Sequence, residues 1–245
     1  MGRWIFYFVF CLELTSSLLA SEDSAQFLLR YKPRLKESIY SYYSRSETLF
    51  TNLDFQKYVS SRSEAYVGLK TLKTLENGHL VQQASVQAGK IVINDQTYSH
   101  PALGHRVDYV LAPWGGIPKA IGTGYQYQIK NLQLVLPKKP VSVGTSWIVT
   151  FPATPNFPAP TEVYYEVTNI VGSLVILHAG INMEDVTVGR KLKISVKGQS
   201  QIIFNSEEGL MVRNESNQYV EVSRPSKEGT RSTRMNVNSI LELQF

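Results

Sequence analysis

The sequence predicts an all-β or mainly β fold, a curved antiparallel sheet or half-open barrel built from two runs of strands. Two patterns carry that prediction. Apolar residues recur at every second position through much of the chain, and clusters of Gly, Asn, Asp and Pro separate those stretches at hairpin spacing. Composition agrees: of 245 residues 43% are hydrophobic and only 18% charged, which excludes a disordered chain. A β domain of this length is commonly a single unit.

The first twenty residues follow a different logic. Arg3 precedes an apolar run over 4–12, then come Thr15, Ser16 and Ser17 and a small residue at Ala20, the pattern of a secretory signal peptide. The run is about half the roughly 20 residues a spanning helix needs. Cleavage after Ala20 is expected, although Leu18 is bulkier than usual two positions earlier. Cys11 lacks the small residues that precede an acylated cysteine. The expected product is extracytoplasmic, periplasmic or secreted, with 21–245 as a single β-rich domain. Without Arg3, Glu13 and Cys11 it keeps a charge of +5 and has no thiol, which rules out disulfides and cysteine-bound metals. The excess positive charge is dispersed and reads as solvated strand faces.

Along this domain, 27–31 and 39–46 read as strands. Asn77-Gly78 gives the strongest hairpin signal, a type I′ turn joining 66–75 to 80–87. Tyr66, Leu69, Leu72 and Leu75 also recur at a helical interval, but the turn demands a strand. Ala88-Gly89 is expected to turn into 90–93, and Asn94-Asp95 into 97–98, giving short strands at meander spacing. A strand over 125–136 ends at Pro137 and Pro140. After 147–151, Pro152, Pro155, Pro158 and Pro160 predict an extended connection. The junction of the two strand runs, and of any two-lobed organisation, therefore falls near 137–160. Strands resume at 163–170 and 174–178. Lys191, Lys193 and Lys197 alternate with Leu192, Ile194 and Val196, and Gly198 is expected to bend that strand. A turn over 205–209 joins 201–204 to 210–213, and 219–222 leads to another turn near 224–229. At the end, Met235, Val237, Leu241, Leu243 and Phe245 share one face.

The segments LLRYKPRLKESIYSYYS, LPKKPVSVGTSW and IIFNSEEGL, with Pro140, Val141, Gly144 and Trp147 as the most specific positions, resemble an uncharacterised family of exported bacterial β-rich proteins. The resemblance implies an extracytoplasmic location and a curved sheet similar to the half-barrel of outer-membrane lipoprotein carriers. It supplies no catalytic residue, and this chain departs from lipoprotein members by lacking a lipobox.

Trp147 reads first as a core anchor beside the bend at Gly144, and Trp114, between Pro113 and Gly115, as a loop residue capping the sheet. If the curved sheet encloses an apolar site, Trp114, Tyr125, Tyr127, Trp147 and Tyr165 are the aromatics expected to line it. Signals for chemistry are weak. His100, His105 and Asp108 lie close together but lack the spacing of a metal site. Gly122-Thr123-Gly124 lacks the lysine and the strand-to-helix setting of a phosphate loop. Glu184-Asp185 and Glu207-Glu208 are neighbours only in sequence, and adjacent acids on a strand point apart. The reading is therefore not an enzyme and no cofactor: a noncatalytic extracytoplasmic protein that binds or carries an apolar ligand, or alternatively a structural or assembly component of the cell envelope. The partners expected are an apolar ligand or an envelope protein, with no nucleic acid and only peripheral association with a membrane.

Overall fold

The computed structural model describes residues 26–33, 39–52, 57–117, 119–121, 134–152, 160–188, 192–226 and 229–244. The expected signal peptide, Tyr125, Tyr127, most of the predicted 125–136 strand and Phe245 lie outside them. Twelve strands follow one another: β1 (Ile39–Asn52), β2 (Lys57–Thr74), β3 (Leu80–Ile93), β4 (Gln96–Ser99), β5 (Arg106–Leu111), β6 (Lys119–Ile121), β7 (Ser146–Phe151), β8 (Thr161–Val171), β9 (Leu174–Val188), β10 (Leu192–Asn205), β11 (Leu210–Ser226) and β12 (Gly229–Gln244). All belong to one antiparallel sheet in the order β6-β5-β3-β2-β1-β12-β11-β10-β9-β8-β7, with β4 beside β3, and the sheet is not closed into a barrel.

The two runs of strands are the two flanks of this sheet. The first strand and the last join them in the middle, with Tyr42 opposite Leu243 and Thr48 opposite Val237. Inside each flank consecutive strands are paired neighbours, except that β4 and β5 both pair with β3, and the longest strand, β2, has 18 residues. Such lengths replace the short meander strands expected from turn spacing. Ala88-Gly89 is not a turn. β3 runs straight through it, and a Cβ on Gly89 would lie 2.7 Å from the Glu64 carbonyl oxygen, so the glycine serves close strand packing. Likewise β10 continues through Gly198, whose missing side chain leaves room for Gln218 and Ile181.

The turn chemistry is also redistributed. The two-residue type I′ loop sits at Asn94 and Asp95, with φ of 46° and 67°, between the paired Ile93 and Gln96. At the 75–79 loop only Gly78 takes a positive φ, 78°. That loop is closed by hydrogen bonds from Gly78 N to Leu75 O at 2.9 Å and from His79 N to the Asn77 side chain at 3.1 Å.

One core lies against one face of the sheet, toward one end of the long strands. It joins Val107, Tyr109 and Leu111 of β5 to Tyr165 and Val167 of β8, from opposite flanks, through Leu80, Tyr42, Leu243, Leu241, Ile202, Phe204 and Leu177. Two connecting segments fill the space between the flanks. Residues 26–33 are a packed segment rather than the predicted strand. Phe27 makes only an isolated bridge with Val141, while Leu29 and Tyr31 are buried. Residues 134–141 bring in Leu134, Leu136 and Val141. Tyr31 is held at both ends, its N–H on Pro113 O at 2.7 Å and its hydroxyl accepting Leu134 N–H at 2.8 Å.

Candidate functional site

At this covered end the aromatic side chains are committed to packing. Tyr165 is buried, and Trp147 stacks on it with ring centroids 5.3 Å apart and planes 13° from parallel. The Trp147 indole N–H donates to Val135 O at 3.0 Å, which satisfies the one polar group the ring buries. Burial pushes the Tyr165 hydroxyl up to about 12 and raises Tyr31 further still. Trp114 makes different ring contacts, edge-on to His79 at 5.8 Å and under the Lys138 ammonium at 4.6 Å, a cation–π contact. The structure thus joins Trp147 to Tyr165 by ring stacking, while Trp114 packs on the same core and its carbonyl accepts Leu136 N–H at 2.8 Å. A cleft among Tyr31, Tyr40, Tyr42, Leu69 and Met211 has a volume of about 30 Å³. That is room for about one water, whereas ligand sites commonly measure roughly 300 to 1,000 Å³.

The other end of the same face is organised differently. Alternation and register place Tyr42, Ser44, Ser46, Thr48 and Phe50 of β1 on the core-bearing side, here called the inner face. Register then extends each row across the sheet. The row through Ser46 runs Tyr98, Ile91, Ser63, Ser46, Ser239, Ser216, Ser200, Ala179, Tyr165 and Trp147. Five serines on five adjacent strands therefore share one line, and Ser216 and Ser239 hydrogen-bond to each other at 2.6 Å. Four residues farther from the core, a second row is wholly apolar: Val59, Phe50, Met235, Val220, Val196 and Met183. It is buried on β9 and β10, where Met183, Ile194 and Val196 form a small cluster of their own, and open on β1 and β2, where Phe50 is 40% and Val59 37% exposed.

The outer face of the same strands carries the charge. Glu47 pairs with Arg45 at 2.5 Å, and Glu64 with Arg62 at 2.6 Å and Lys90 at 3.3 Å. On the other flank Arg213 bridges Glu215 and Glu242, Arg234 meets Glu221, and Lys197 meets Glu184 at 2.6 Å. Partial burial works against the ionised Glu64, yet Lys90 and Arg62 outweigh it and hold its carboxyl below the ordinary value.

The remaining chemical candidates are occupied structurally. His100 Nδ1 accepts Ala102 N–H at 3.1 Å, and burial lowers its pKa. Asp108 takes the Gln83 amide at 2.9 Å. Asn205 accepts the N–H groups of both Glu207 and Glu208 at 3.0 Å, so that acidic pair belongs to a turn. Among the described residues no three His, Cys, Asp or Glu side chains converge on a metal-sized site. Sequence reasoning missed the inner-face rows because each residue in a row comes from a different strand. The one available signal was the final alternation through Met235, Val237, Leu241 and Leu243, whose missing member is Ser239.

No family model matches the chain, and no curated protein does. Among solved structures its fold is similar to that of lipovitellin, in a structure concerned with lipid–protein interactions in that protein. The TM-score is 0.58 at 11% identity, over 86% of this chain and 25% of the lipovitellin chain. The chain thus spans about a quarter of the length of that neighbour, and the likeness is one of fold.

Proposed function

We propose that the chain is a noncatalytic binding or carrier protein for an apolar ligand, acting outside the cytoplasm, and that the ligand lies on the inner face at the uncovered end of the sheet. The observation that carries this reading is the half-exposed row from Val59 through Phe50 and Met235, apolar side chains left in water on the inner face of three adjacent strands. Lipovitellin supports it by analogy, as a related sheet in a protein described by its interactions with lipid. The signal-peptide pattern of residues 1–20 and the resemblance to exported bacterial β-rich proteins support the location. The aromatics Trp147 and Tyr165 have no part in the ligand surface under this reading, because their faces are used against each other.

An apolar fluorescent probe such as phenylnaphthylamine tests the proposal. Wild-type protein is expected to bind it, and Phe50→Asp or Met235→Asp to weaken binding about tenfold or more, since a carboxylate would be desolvated beside the ligand. Leu49→Asp, on the outer face of the same strand, serves as the folded control. Absence of probe binding by the wild type, or equal loss in all three variants, would sink the reading in favour of an assembly role at the cell envelope, with the sheet as an interaction platform.

A further inference from the structure

Beyond the apolar row the inner face turns basic. On β11 and β12 the inward register pairs run from the serine row as Ser216–Ser239, Gln218–Val237, Val220–Met235 and Val222–Thr233, and reach the rim at Arg224–Arg231. Val220, Val222, Met235 and Val237 are half-buried, as is Arg231, whereas Arg224 is exposed and makes no ion pair among the described residues. On the neighbouring pair of strands Lys57 holds the register position opposite Asn52, at the same end. From the serine row to this rim, no Asp or Glu occupies an inward register position of β1, β2, β10, β11 or β12. Glu221, close by in sequence, alternates to the outer face and meets Arg234 there.

We infer that the ligand of this face is an anionic amphiphile, a carboxylate or phosphate headgroup on an acyl chain, lying along the strands with its head at Arg224 and Arg231. The inference rests on the apolar-ligand reading proposed above and specifies the headgroup and the direction in which the ligand lies. A guanidinium presents a planar fork of donors that matches a carboxylate or a phosphate, and two forks on adjacent strands can hold one anion from both sides. At the rim such a head keeps part of its water, so it avoids the desolvation it would suffer deeper on the face. The apolar part has a track of fitting length. Val220 and Met235 lie four residues from the arginines, about 13 Å along the strands, and the serine row lies about 26 Å from them. One acyl chain fills half the hydrocarbon of a bilayer, about 15 Å. A chain running inward from the arginines therefore covers Val222, Val220 and Met235 and ends short of the serines. Buried Ile194 and Val196 of β10 flank this track on one side and half-exposed Phe50 of β1 on the other.

The test measures binding of a fluorescent fatty acid, its methyl ester and the lysophosphatidate of the same acyl chain, each dispersed below its aggregation concentration at low ionic strength. Wild type is expected to bind at least one of the two anions about tenfold more tightly than the ester, and the tighter anion identifies the head as carboxylate or phosphate. Added salt should narrow that margin, because the rim is open to solvent. The double variant Arg224→Gln with Arg231→Gln is expected to abolish the margin and leave ester binding unchanged. Lys193→Gln removes a cation from the outer face near the same rim, opposite Ser223, and is expected to leave the margin as it is. Ester binding as tight as that of both anions on the wild type would overturn the inference while leaving an apolar-ligand function standing, and this comparison needs no variant to fold. A margin kept by the folded double variant would overturn it as well. Capture of the protein by vesicles containing phosphatidate, without binding of either dispersed anion, would overturn it in favour of a rim that docks on membranes. Binding of no probe would overturn both readings.

Discussion

Phe204 and Phe50 are the same residue type on the same face of the same sheet, and one is wholly buried while the other is 40% exposed. Side-chain direction does not explain the difference, since both lie at inward positions of their strands. Cover does. Segments 26–33 and 134–141 lie on the inner face at one end and bind Phe204, Leu177 and Tyr109 into one core. At the other end the described residues place no second layer on β1 and β2. Stability should therefore reside at the covered end and ligand contact at the uncovered end.

The widest gap between the two ends should appear in paired truncations. Phe204→Ala is expected to cost about 3 to 5 kcal/mol, the range for a large aromatic removed from a packed core, and Phe50→Ala less than about 1 kcal/mol. Denaturant titration measures both, and equal losses would erase the distinction between the ends. Alkaline titration should come next. Tyr165 has a folded pKa of about 12 against an ordinary 10, so its contribution is full below pH 10 and is lost as pH rises toward 12. The loss should be about 3 kcal/mol, with Tyr31 adding in the same direction. Replacing Tyr165 by Phe should flatten that stretch of the pH–stability curve; an unchanged slope would place the titrating group elsewhere.

Glycine substitutions sharpen the comparison within the covered end itself. Gly209 has a φ of 65°, and an added Cβ would sit 2.6 Å from both Arg30 O and Lys32 N, backbone atoms of the covering segment. Gly144 has a φ of 83° with nothing within 4 Å. Both alanine variants bear the left-handed penalty of about 1 kcal/mol, and Gly209→Ala should exceed Gly144→Ala by a further 1 kcal/mol or so because the covering segment must move. The smallest effect belongs to the outer face. The Tyr219 hydroxyl and Arg234 hold Glu221 below the ordinary 4.5 despite partial burial, so its contribution persists above pH 4.5 and fades as acid carries it through the lowered value. Exposed pairs of this kind are weak and salt-screened, so Glu221→Gln should change the acid limb only slightly. A large acid-limb shift would show the ion-paired face to be more than a solvated surface.

Much of the fold was legible locally. The alternation at Lys193, Lys197, Ile194 and Val196 and the final run through Leu241 and Leu243 identified the inward sides correctly, because side-chain direction on a strand depends only on position. The 205–209 turn was equally legible, with Gly209 in the positive-φ position. Errors came where a residue's role depends on a distant partner. Gly89 looks like a turn residue in sequence, yet it is a point of close approach between long strands. Asn77-Gly78 carries the type I′ signature, but the 75–79 loop closes through the Asn77 side chain and only Gly78 takes a positive φ. Trp114 and Trp147 could be named as important aromatics, but nothing near Trp147 in sequence shows that Tyr165 takes its face.

The sequence by itself determined the β class and the separation of charged from uncharged sides along individual strands. These follow from local sterics and the two-residue period. Tertiary structure decided the pairing of β1 with β12, the end of the sheet that is covered, and the alignment of Ser63, Ser46, Ser239, Ser216 and Ser200 into one row. Each of those is a register between residues far apart in the chain. A shift of one residue in any of them would turn a strand's inward set outward while leaving its sequence unchanged.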